Sequence, residues 1–461
     1  MEILLAVATL IGGAAVIGTV IRWLWNRRKA PPASSEDIKR LERKVDRLAE
    51  YLDGLPQAKN PALRAAFEDA RRFQLEGYQQ EGYAAQSAHK HREAIDRFTR
   101  ALELAETDSQ RAALHILRGN SYFSISAYKE AQANYEETLS LAESISDAKE
   151  AAQARANALG NLGSVYANRG ESDKAEKHHK KALEIYREIG DPLGEANQLT
   201  NLGIVYGRRG DLEKAEEHYK QALEIHRKIG NRRGEAQDLA NLGTLCGRRG
   251  HPDDLGKAEH YFQQALEIYR EIGDRLGEAS VLGNLGNVYF LHGELDNAEH
   301  YFQQALEINS EIGNRLGEAS ALVQLGLVCA RRGQLESAEV WYKKALEIDR
   351  GTGYRLGEAD ALGNLGNVYF RRGDLDKAEE QYEQALEIDR DVGNRLGEAQ
   401  DLGSLGIVYI RRGKLERARD YLQQAQAIYQ KIGAGGEGPE IVRQALEDIE
   451  ELERRQQERG E

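Results

Sequence analysis

The triplet Gly-Glu-Ala begins at Gly194, Gly234, Gly277, Gly317, Gly357 and Gly397, at intervals of 40, 43, 40, 40 and 40 residues. The single long interval comes from three extra residues in "GHPDDLGKAE", where other units have forms such as "GDLEKAE". Self-similarity at a fixed period of this size means stacked copies of one supersecondary unit, none of which buries its apolar face alone. The period also disposes of a tempting motif. "LGNLGNVYFRRG", residues 362–373, is glycine-rich and followed by arginines, as a phosphate cradle would be. Nearly the same string returns from Gly283. A phosphate loop is needed once per site, so recurrence in register marks architecture.

Within residues 357–394 the apolar and small positions fall at helical intervals in two blocks. One runs from about Leu356 to Arg372, the other from about Leu375 to Val392, and they stop at Gly373 and Gly393. A glycine after a basic last turn is a helix stop, because glycine takes the left-handed conformation and the cations complement the helix dipole. Starts are marked by Asp191 before Pro192, and by Asn231, Asp274, Asn314 and Asn394 at the equivalent place. Each unit therefore reads as a hairpin of two long helices. Leu365, Gly366 and Tyr369 share a face of the first, and Ala378, Tyr382 and Ala385 a face of the second. Small residues let the axes approach and aromatic rings fill the gaps.

Leu-Gly-x-x-Tyr, then Ala, an aromatic and Ala resembles the tetratricopeptide repeat. The set recurs at Leu202, Gly203, Tyr206, Ala215, Tyr219 and Ala222, and at Leu285, Gly286, Tyr289, Ala298, Phe302 and Ala305. Departures are His179 and Leu422 for the second aromatic and Thr138 for the last Ala. Nine units fit between about Gln74 and Gly433, the first two degenerate. The period exceeds the usual ~34 residues. In that it is similar to the long-helix subclass of kinesin light chains and spindle-orientation adaptors. The resemblance implies an all-α, right-handed α-solenoid whose groove holds partner peptides. The expected organisation is degenerate units over 61–148, seven regular units over 149–434, and a charged capping helix over 435–461.

The first 60 residues are different. Ile3 to Ile21 carry no charge over nineteen residues, about the span of a bilayer core, and Arg22, Trp23, Trp25, Arg27, Arg28 and Lys29 follow as an interfacial cluster. A cleaved signal peptide fits less well, since no basic residue precedes the apolar run. The expectation is a transmembrane anchor over 1–29, in the membrane through residues 3–25. It makes a single-pass protein, and the basic flank places the repeats on the cytoplasmic side. Over the following 30–60, a Pro-containing linker leads to Ile38, Leu41, Val45, Leu48, Leu52 and Leu55, a heptad seam. Residues 36–55 suit either self-association or docking onto the helices that follow.

With 46 Gly, 7 Pro, 30% charged residues and a formal charge of −13, the composition suits many short helices and argues against nucleic acid as a partner. The two cysteines, Cys246 and Cys329, replace the first-helix Tyr of their units and are expected in the core. No two histidines stand three or four apart, so no metal site is expected. His218, His226, His251, His260, His292 and His300 read as loop or exposed residues. No catalytic constellation or cofactor motif is legible, and the expectation is a protein without enzymatic activity.

Two recurring sets remain. Asn161, Asn201, Asn241, Asn284 and Asn364 precede the Leu-Gly pair, with Asn287 and Asn367 three residues on. The resemblance implies that such asparagines face the groove and hydrogen-bond a partner's backbone; local bonding between repeats is the competing reading. Arg208, Arg248, Arg331, Arg371 and Arg411, with their neighbours, close the first helices. They form a basic stripe for an acidic peptide, or pair with the glutamate-rich second helices. The lysine of chaperone-binding repeats is absent: its place holds Gly160, Thr200, Ala240, Gly283 and Gly363. The functional expectation is a membrane-anchored scaffold that captures partner proteins or peptides. The alternative is a sensor whose superhelix responds to a signalling peptide or small ligand.

Overall fold

A computed structural model of the chain describes residues 61–88, 90–249 and 252–459. Among the described residues there are nineteen helices and no strand. They run as nine consecutive hairpins: α1 (Pro61–Ser87) with α2 (His91–Leu104), α3 (Asp108–Ser124) with α4 (Tyr128–Ala142), α5 (Ala148–Asn168) with α6 (Ser172–Ile189), and α7 (Pro192–Arg209) with α8 (Leu212–Ile229). Then come α9 (Arg232–Arg249) with α10 (Pro252–Glu271), α11 (Arg275–His292) with α12 (Leu295–Glu311), and α13 (Arg315–Arg331) with α14 (Leu335–Thr352). The last are α15 (Arg355–Arg372) with α16 (Leu375–Val392), and α17 (Arg395–Arg411) with α18 (Leu415–Ile432), before a terminal α19 (Glu437–Arg459).

The chain divides into two compact units, Met1–Ile225 and His226–Glu461, parting in the last turn of α8. The sequence period runs through that point without a mark. The apolar run at 3–21 and the heptad seam at 36–55 lie outside the described residues. Among the described residues no helix is long and apolar enough to cross a membrane.

Helix ends are set by the expected residues. Asp191, Asn231, Asp274, Asn314 and Asn394 each accept a hydrogen bond from the backbone N–H of the repeat's Gly three residues on. Gly373 ends α15 at φ 82°, a conformation in which a Cβ is strained. Close packing is equally direct. A Cβ on Gly366 would stand 2.6 Å from the Tyr382 ring, and Gly203 and Gly326 face Tyr219 and Tyr342 in the same way.

Four of the six glutamates of the repeated triplet, Glu235, Glu278, Glu358 and Glu398, are each held by two arginines. Glu358, nearly buried, accepts from Arg350 of α14 at 2.9 Å and from Arg355 of its own helix at 2.5 Å. Glu398 is held likewise by Arg390 and Arg395. The terminal α19 is not simply polar. Val442, Ala445 and Ile449 are buried, so it closes the core with an apolar face and turns its charges outward.

Candidate functional site

In the second unit, α9 and α11, first helices of adjacent hairpins, leave a cavity of about 480 Å³ between them. Gln237, Asn241 and Thr244 of α9 reach it because residues three and four apart share a helix face. Leu276, Ser280 and Asn284 of α11 do so for the same reason. Two of the expected asparagines thus meet in one space. The Asn241 Oδ1 accepts from Gln237 at 3.3 Å, whereas its Nδ2 is buried with no acceptor in the protein. An unmade bond on a buried donor costs about 1–3 kcal/mol, which a ligand carbonyl would restore. At the cavity Arg233 pairs with Asp274 at 2.9 Å, so the local charge is balanced and the recognition on offer is polar rather than ionic.

The other asparagines are differently engaged. Asn161 donates to Asn120 Oδ1 at 3.2 Å, one hairpin back, which is the local bonding considered above. Asn364 donates to the Asp360 carbonyl within its own helix. Asn367 accepts from Tyr382 Oη at 2.8 Å. Asn201 and Asn287 are half-buried.

The arginine pairs divide their work. The first member reaches back one hairpin to a carbonyl at the end of the preceding first helix: Arg208 to Ala167 at 2.9 Å, Arg331 to Phe290 at 3.0 Å and Arg371 to Ala330 at 2.7 Å. Arg411 lies over the Phe370 ring, 4.9 Å from its centroid, and Arg248 is exposed. The second member pairs with the preceding second helix, Arg209 with Asp173 and Glu176, Arg412 with Asp376 and Glu379. Burial alone would raise the Glu176 carboxyl, but bonds from Lys180, Tyr206 and Arg209 outweigh it and hold it at about 2. The stripe is therefore built into contacts between neighbouring hairpins.

Cys246 and Cys329 are buried, as expected. His226 corrects the sequence reading, which placed it among loops and exposed faces, while His179 stands in the second-aromatic column where the sequence put it. His179 is buried, with Nδ1 2.9 Å from Gln198 Oε1, and burial lowers its pKa to about 4. His226 is 2% exposed and stands 2.7 Å from Asp238, itself fully buried. Column by column, His226 occupies a place where other hairpins have Tyr186, Tyr269 and Tyr429, or Asn309, Asp349 and Asp389. A place shared by aromatic and polar residues was the available signal. No group of three or more metal-ligating side chains occurs among the described residues.

The sequence matches the Tetratricopeptide repeat family over 154–228, 194–271, 253–311, 278–351 and 357–431, more than half of the chain. The chain belongs to the tetratricopeptide repeat family. No curated protein matches it closely enough to count as a relative. Several solved tetratricopeptide repeat structures are similar in fold. A signal-transduction ATPase with a tetratricopeptide repeat sensor from Pyrococcus horikoshii is 20% identical, with a TM-score of 0.56 over 86% of this chain and 60% of its own. The apo quorum sensor NprR from B. thuringiensis is 14% identical, with a TM-score of 0.54 over 78% of this chain and 99% of its own. A Rap protein complexed with Competence and Sporulation Factor is 16% identical, with a TM-score of 0.50 over 84% and 98%. These tetratricopeptide repeat structures share the fold with this chain.

Proposed function

We propose that this tetratricopeptide repeat protein is a scaffold that captures an extended segment of a partner protein on its first-helix faces. Capture needs no chemistry. An amide that donates and accepts at once suits a peptide backbone, and Asn241 and Asn284 face one cavity. The observation that carries this reading is the buried Asn241 Nδ2 without an acceptor. Residues 3–25 would hold the scaffold at the cytoplasmic face of a membrane and raise the effective concentration of captured partners. The test is crosslinking in native membranes followed by partner identification, comparing wild type with Asn201, Asn241 and Asn284 changed to Ala. Undiminished recovery of the same partners from the triple variant would remove the groove assignment.

A second reading, a ligand-responsive sensor, is favoured by one observation: two of the similar folds are named as sensors. It predicts a change in small-angle scattering when the captured partner is added. A scaffold keeps its shape.

A further inference from the structure

The column that holds His226 pairs, twelve residues on, with the column that holds Asp238. Between α16 and α17 the same two places carry Asp389 and Asp401. His226 Nδ1 meets Asp238 Oδ2 at 2.7 Å, while His226 Nε2 is buried without a partner. Asp389 and Asp401 have no such nitrogen between them. Asp389 is 4% exposed, and its Oδ1 takes a hydrogen bond from Asn394 at 2.9 Å. Asp401 is 7% exposed, and its Oδ2 is buried without any hydrogen-bond partner. The charges acting on Asp401 are those of Asp389 and Asp360, both acids, and Asp360 stands exposed on α15.

The carboxylate lies under a position with no side chain: the nearest atom to a Cβ built on Gly363 of α15 would be Asp401 Oδ1, 3.7 Å away, an ordinary contact distance, while Oδ2 is buried. Other hairpins have Thr200, Ala240 or Val323 at that position. A buried carboxylate lacking a donor is costly unless a cation arrives, and the equivalent corner sets a nitrogen-bearing side chain against the carboxylate.

We infer that Asp401, with Asp389 behind it and Asp360 at its rim, is a binding site for a basic side chain, lysine or arginine, of the captured partner. The inference rests on the first-helix faces being the capture surface, and it adds the partner's chemistry: a positive residue opposite Gly363. Burial, then the charges of Asp389 and Asp360, raise the Asp401 carboxyl to about 8, so an unliganded site holds a proton that the cation displaces.

The experiment is calorimetric titration of the full chain at pH 8 with the peptide acetyl-Gly-Arg-Gly-Arg-Gly-amide and its citrulline counterpart. The citrulline peptide keeps the shape and loses the charge. The arginine peptide should bind, and binding should weaken about tenfold or more in Asp401→Ala and in Asp389→His. The second variant removes the neighbouring acid and supplies a nitrogen partner internally, as His226 does for Asp238. Alanine already stands at the equivalent positions 321 and 361, so Asp401→Ala fits the fold, and thermal melting checks both variants. Equal binding of the citrulline peptide, or unchanged affinity in Asp401→Ala, would overturn the site. So would calcium chloride binding alone with the same dependence on Asp401, which makes it a metal site. Loss of binding only on changing Asn241 and Asn284 to Ala would overturn it while leaving the capture surface standing.

Discussion

Two corners of the second unit occupy equivalent repeat positions and are finished differently. At His226 and Asp238 a nitrogen meets a carboxylate in the core and closes the acid's side of the corner, while the ring's Nε2 is buried without a partner. At Asp389 and Asp401 two carboxylates occupy the same places, and one oxygen is left without a donor. The backbone is the same in kind, a second helix turning into the next first helix through a capping Asn at 231 or 394. The difference lies in one side chain. A repeat fixes where residues meet, and substitution within a column decides whether the meeting is structural or leaves valence for a partner.

The most severe way to break the comparison is His226→Asp, which turns the closed corner into the open one. It should cost on the order of 3 kcal/mol at pH 8, because a buried carboxylate loses its partner and gains a like charge. Guanidinium unfolding should show the loss shrinking as the pH is lowered and the acids take protons.

The converse is Asp401→Asn, which relieves the open corner. Its carboxyl rises from 3.8 to about 8 on folding, so below 3.8 the two forms are alike in protonation. As pH rises through 8, the folded state must surrender a proton that the unfolded chain has already lost. Wild type therefore loses stability with rising pH. The variant should be roughly 2 kcal/mol more stable at pH 8 and no different at pH 4. A wild-type melting temperature that rises from pH 5 to 8 while the variant's stays flat would contradict this.

The first unit supplies a third corner with the opposite sign. His179, against Gln198, has its pKa lowered to about 4 by burial, so the unfolded chain takes the proton first. Stability is full above 6.5 and falls as pH drops through 4. His179→Tyr, the ring type at 219, 342 and 382, should remove that acid sensitivity. We expect a gain of about 1 kcal/mol at pH 5, read by fluorescence melting of a panel of pH values. The smallest effect belongs to Arg372→Ala, which removes an ion pair with Glu339 between neighbouring hairpins. It should cost about 0.5 kcal/mol and leave the pH profile of either corner unmoved.

How much of this was legible in the sequence follows from what a period records. It marks positions where the residue type is kept. The ends of α16, the capping Asn394, the stop at Gly373 and the packing of Gly366 against Tyr382 could all be read from it. It is silent where a column varies, and the corners lie in such columns: Tyr, His, Asn and Asp alternate from 186 to 429. His226 looked exposed because histidine usually is, and only tertiary placement buries it beside Asp238. The arginine pairs were half legible. Their spacing showed a stripe, but only packing shows the first member capping a carbonyl one hairpin back and the second pairing with acids. At the candidate cavity Asn241 and Asn284 were legible as one set. Gln237, Thr244 and Ser280 were not, since their columns vary from hairpin to hairpin.

Capture of a partner by the first-helix faces is open to a photo-crosslinking residue at Ser280, exposed and lining the cavity, with a control at Glu267 on α10. In native membranes a defined partner segment is expected to be crosslinked from 280 and not from 267. Crosslinking from 267 alone, or equally from both, would contradict it.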